Sequence, residues 1–152
     1  MNITVVGPDG VTPIGTSAAT PTTLALATSL AGSFPATATA VAAASGNVAN
    51  ASAVATLAAN ATKTNYLTGF EITGGGATAA GLVIATVTGL LGGTLSYIVA
   101  APAGVAVGIA PLVVAFNPPL PGSAVNTAIV VTLPALGSGN TNAAVTARGY
   151  VM

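Results

Sequence analysis

Apolar and polar residues alternate with period two in several separate runs of this chain, the pattern of half-buried β-strands. In residues 66–73, Tyr66, Thr68, Phe70 and Ile72 share one face, and Leu67, Gly69, Glu71 and Thr73 share the other. Gly74, Gly75 and Gly76 close that run, and a second begins at Gly81 and ends at Thr88. The stretch from Asn65 to Thr88 therefore reads as strand, glycine turn, strand. The same scheme continues to the C-terminus. Residues 92–100 place Leu95, Tyr97 and Val99 together. Residues 105–109 and 112–116 are two short strand candidates separated by Pro111, which suits an edge or a bend. Asn117, Pro118 and Pro119 read as a stop. Residues 124–133 align Thr127, Ile129, Val131 and Leu133. After a loop at 134–142, residues 143–151 align Ala143, Val145, Ala147 and Val151 against Ala144, Thr146, Arg148 and Tyr150. Phe70, Ile72, Ile129 and Val131 are the expected core.

The pattern is weaker before residue 65. Residues 36–44 and 51–59 are rich in alanine, which favours helix. Alternating threonine and the turn chemistry of Ser45, Gly46 and Asn47 argue instead for strands. Residues 2–6 are a further short strand candidate, followed by a Gly-Pro-Asp-Gly turn at 7–10. Residues 11–35 are Thr, Ala, Ser and Pro with little periodicity. Residues 1–35 thus read as an extended N-terminal arm that contacts a neighbouring molecule, and 36–152 as one β-domain. About eight or nine short strands at this spacing predict an all-β sandwich or barrel, with less than about 10% helix.

Hydropathy alone marks 79–101 as long enough for a membrane span. Three glycines in its middle, the Val, Ile and Thr content and the lack of flanking Lys or Arg argue for strands, so no membrane partner is expected. The N-terminus lacks a basic residue ahead of its apolar part and breaks at Gly7-Pro8, so no secretory signal is expected either.

Charge changes the picture more than any motif. Asp9, Lys63, Glu71 and Arg148 are the charged side chains of all 152 residues, 3% of the chain with net charge zero, against about 25% in an average soluble domain. Two explanations compete, a surface wetted by uncharged Thr, Ser, Asn and Gly or one largely covered by partners, and charge depletion, which marks the buried centre of interfaces, favours the second. Two basic residues cannot make a phosphate-binding patch, which argues against nucleic acid.

The same scarcity argues against catalysis. Histidine and cysteine are absent, which removes the commonest general base and any thiolate chemistry. Asp9 lies in a turn that favours Asp for its backbone geometry, and nothing in the sequence brings it to Glu71 as a carboxylate pair. Gly74–Ala79 fits a G-x-G-x-x-A pattern after a strand, but no acidic residue follows Glu71 to bind a ribose, so it reads as a glycine-rich hairpin loop. No catalytic residue, cofactor or metal is expected. Lys63, Glu71 and Arg148 read as structural or interface ion pairs. Tyr66 and Tyr150, at strand ends, are positions where a partly exposed ring serves an interface. The interface candidates are accordingly Tyr66, Glu71, Arg148 and Tyr150.

At TNYLTGFEITGGGATAAGLVIATVTGLLGGTLSYIVAAPAG and again at AVNTAIVVTLPALGSGNTNAAVTARGYVM, the chain resembles small virion proteins of tailed bacteriophages, the capsid decoration or cement proteins and related head-associated proteins. The resemblance covers roughly residues 51–152 and rests on the style and order of segments. It implies a jelly-roll-like antiparallel β-sandwich that oligomerises, as a dimer or trimer, on the outer capsid surface and locks the major capsid protein in place. A fibre or receptor-binding module and an ice-binding protein are the alternatives. The first wants an exposed aromatic or polar pocket and the second a regular Thr-x-Thr ladder.

Overall fold

Eight strands and no helix make up residues 34–152, the part of the chain that the computed structural model describes. They are β1 (Thr39–Ala44), β2 (Ala53–Leu57), β3 (Asn65–Gly75), β4 (Gly81–Thr88), β5 (Leu95–Ala101), β6 (Leu112–Pro121), β7 (Ile129–Leu133) and β8 (Asn142–Val151). The expected arm, apart from its last two residues, the strand at 2–6 and the turn at 7–10 lie outside the described residues. The sandwich is one compact unit, Thr37–Met152.

Two antiparallel four-stranded sheets face each other, in the orders β1-β8-β3-β6 and β2-β7-β4-β5. Every connection crosses from one sheet to the other except the β4–β5 hairpin. That winding, two Greek keys in eight strands, is a jelly roll. It corrects the reading of the glycine stretch: β3 and β4 are strands on either side of a turn, but they do not pair as a hairpin. The turn instead carries the chain across the sandwich, and Gly76 makes it with a φ of 86°.

The core lies where the period-two faces meet. Phe70, Ile72, Ile129 and Val131 are buried, as are Leu57, Leu67, Val87, Leu133 and Val145. Phe70 of one sheet meets Tyr97 of the other edge-on, with ring centroids 5.1 Å apart.

Four local expectations fail. Within β3 the alternation does not hold its parity. Leu67 pairs with Gly149 and Gly69 with Arg148, which leaves Thr68 as an extra residue in a β-bulge. The Thr68 hydroxyl donates to the Arg148 carbonyl at 2.9 Å. Asn65 and Leu67 point inward before the bulge, Phe70 and Ile72 after it, so Tyr66 and Phe70 do not share a face.

Asn117, Pro118 and Pro119 do not stop β6, which runs on to Pro121. Residues 116–119 lie opposite Thr68, where the β3 register shifts, and β6 is an edge strand, where a residue without an N–H is tolerated. Residues 105–109 are not a strand. They fold into a turn that touches β3 through a single bridge, Gly75 to Gly108. A Cβ on Gly75 would stand 2.6 Å from the Val107 carbonyl oxygen, so the approach needs glycine. Residues 124–128 are likewise a turn, with Asn126 at a φ of 60°.

Candidate interaction surface

The four interface candidates gather on the β1-β8-β3-β6 sheet. The Arg148 guanidinium lies 3.9 Å from the Glu71 carboxylate, with side chains 69% and 40% exposed. An ion pair this open to solvent contributes under about 1 kcal/mol. With Thr68, Thr146 and Val113 it lines a hollow of about 190 Å³, below the roughly 300–1,000 Å³ of small-molecule sites. Tyr66 and Tyr150 pair in register and stack with centroids 4.9 Å apart and planes 10° from parallel. Tyr66 is half-buried but Tyr150 is buried, so the expectation of a partly exposed ring fails at Tyr150. The other sequence candidate, Lys63, reaches Thr39 at 3.4 Å and joins none of these groups. Asp9 lies outside the described residues.

Burial pushes the Tyr97 phenol above its ordinary value, and burial together with Tyr66 does the same for Tyr150. A phenol that ionises later in the folded chain than in the unfolded one supports folding below about pH 10 and withdraws that support as pH rises further. Stability is therefore expected to fall above about pH 10, measured as a urea midpoint across alkaline pH. A midpoint unchanged to pH 12 would contradict it.

Two polar residues that the sequence reading did not single out are fully buried, Asn65 and Asn140. Asn65 begins β3 and works as a clamp. Its side-chain amide donates to the Ala58 carbonyl at 3.0 Å and the Thr127 carbonyl at 2.8 Å, tying the loops before β3 and before β7 to one end of the sandwich. Its main-chain carbonyl accepts from Gly122 N–H. Asn65→Ala removes two hydrogen bonds whose acceptors, on exposed Ala58 and half-buried Thr127, water can partly reach, and should cost about 1–2 kcal/mol, read from urea unfolding. A loss under about 0.5 kcal/mol would mean the clamp is idle.

The outer face of the β2-β7-β4-β5 sheet has a different character. Leu82, Ile84 and Ile98 point outward and are 72%, 55% and 73% exposed. Leu82 sits beside Ala100, and Ile84 beside Ile98. On the next rung Ser96, Thr86, Thr132 and Val54 lie across the sheet in register. The described charges, Lys63, Glu71 and Arg148, all lie off this sheet. Scattered surface aliphatics are ordinary, but a contiguous apolar row rimmed by hydroxyls is the anatomy of a contact surface. The signal was present in the sequence: GLVIATV and LSYIVA are apolar at both parities, as strands covered on both faces are.

No family model, curated protein or solved structure matches the chain. Among the described residues no helix is long and apolar enough to cross a membrane, and no three His, Cys, Asp or Glu side chains come together.

Proposed function

We propose that this chain is a structural virion protein that decorates and stabilises a bacteriophage capsid from its outer surface, binding the major capsid protein and copies of itself. The observation that carries the reading is the uncharged, apolar outer face of the β2-β7-β4-β5 sheet on a jelly-roll body. The fold alone would not suffice, because jelly rolls serve many functions. The face adds a reason for the missing charge: a subunit that spends its working life covered has no use for a charged surface there.

Attachment then comes from apolar burial, about 1.5–3 kcal/mol for each large aliphatic side chain covered. Long-range attraction contributes little at net charge zero. The test is co-sedimentation with purified particles after washing. Salt at 1 M shrinks the Debye length to about 3 Å and screens exposed ion pairs, so the protein should stay bound. Urea, which weakens apolar burial, should release it. Val54→Lys places a charge on the face and should lower retention at least about tenfold. Quantitative release by salt, or unchanged binding of Val54→Lys, would contradict the reading.

A further inference from the structure

We infer that two copies of this chain join through β5, edge to edge and antiparallel, about a twofold axis at Ile98. The inference deepens the self-association in the reading above by naming the surface and the register.

Each sheet has two edge strands, and three of the four are guarded. β6 carries Pro118, Pro119 and Pro121, which cannot donate to a ladder. β2 is five residues long. β1 is mostly alanine, a poor strand former, with the Lys63 ammonium at its first residue. β5 has none of these devices. It is seven residues with no proline and no charge. Its pairing with β4 runs from Gly81–Ala101 to Val87–Leu95 without a register shift, so no bulge turns the edge away. No described strand lies on its other side, and a row of backbone N–H and C=O groups faces outward there. Water satisfies such a row in the free chain, and another strand can replace that water and cover the apolar side chains beside it.

A second β5 fits this edge. Continuing the sheet requires that outward residues meet outward residues. A twofold at Ile98 does so over the whole strand: Ile98 meets its own mate, Ser96 meets Ala100, Tyr97 meets Val99, and Leu95 meets Ala101. Centring the axis on a neighbouring residue of either parity shortens this overlap or extends it past the strand's end. No charge opposes its like across the seam, and the two Ile98 side chains, each 73% exposed, cover one another. The result is one eight-stranded sheet whose apolar rows of Leu82, Ile84 and Ile98 run together into a doubled face.

The absence of cysteine makes the test clean. Directly opposed residues in an antiparallel pair have Cα atoms about 4.5–5.5 Å apart, within disulfide reach. Under mild oxidation of the otherwise native full chain, Ile98→Cys should form a covalent dimer at least about tenfold faster than Val54→Cys on the far edge. Ser96→Cys should not cross-link to itself, since its mates stand about 13 Å apart along the strand, but should cross-link when mixed with Ala100→Cys. Ile98→Lys, at an exposed position, should keep the native circular dichroism and lower association in sedimentation equilibrium, whereas Val54→Lys should associate as the native chain does. The inference is overturned if Ile98→Cys cross-links no faster than Val54→Cys, if Ser96→Cys self-links as fast as Ile98→Cys, or if Ile98→Lys associates normally. If the Val54→Lys chain dimerises but particle binding proves salt-labile, the proposed mode of shell attachment fails while the seam stands.

Discussion

Ile129→Asp should abolish folding. Ile129 is fully buried at the start of β7, a central strand that pairs with β2 and β4. It sits opposite Leu57 in the sheet, and no cationic side chain lies on that sheet among the described residues. A carboxylate there is either desolvated and unpaired or forced to take up a proton. Both cost several kcal/mol, on the order of the whole stability of a domain this size. The expected result is insoluble or unfolded protein by circular dichroism. Thr132→Asp, three residues along and pointing outward, should fold normally, which separates the effect of burial from that of the charge. A soluble, cooperatively unfolding Ile129→Asp would contradict the assigned core.

Gly89→Ala should be the most damaging glycine substitution outside the strands. Gly89 ends β4 with a φ of 83°, in the left-handed region, where an L residue costs roughly 1–2 kcal/mol. A Cβ there would also run into the Ala128 carbonyl oxygen, backbone that cannot move aside. Overpacking of this kind adds about 1–3 kcal/mol. The site joins the end of β4 to the entry of β7, and Ser123 N–H holds the Gly89 carbonyl at 2.8 Å. Gly92→Ala, three residues on with nothing within 4 Å of the new methyl, is the matched control and should be near neutral. A urea midpoint for Gly89→Ala equal to that of Gly92→Ala would show that the turn relaxes freely.

The two substitutions divide what the sequence could and could not show. Ile129 was legible because alternation over Thr127, Ile129, Val131 and Leu133 is a local signal, and burial follows its parity. β4 was legible to the residue for a different local reason, a run of Val, Ile and Thr closed by glycine at either end. Gly89 was not. Its constraint comes from the Ala128 carbonyl, 39 positions away in sequence order, and no local pattern encodes such an approach. The Thr68 bulge escaped for a related reason: an extra residue in a ladder exists only relative to the partner strand. β6 ran through its prolines because its edge position, a property of the sheet order, removed the penalty that made them look like a stop.

The candidate surface was half legible. The sequence showed that charge was missing and that a covered surface was the reason to expect, yet it pointed to Tyr66, Glu71, Arg148 and Tyr150, the residues with recognisable chemistry. Those residues build a modest ion pair and a stacked pair on one sheet. The larger uncharged surface lies on the other sheet, in Leu82, Ile84 and Ile98, whose side chains look like core until the sandwich shows which way they face.

Location on the particle tests the central claim most directly. Antibody raised against the recombinant chain, coupled to gold and applied to purified virions, should label the outer surface of the head at many regularly spaced positions. Label confined to the tail or fibre tips, or absent from particles that contain the protein by mass spectrometry, would contradict capsid decoration.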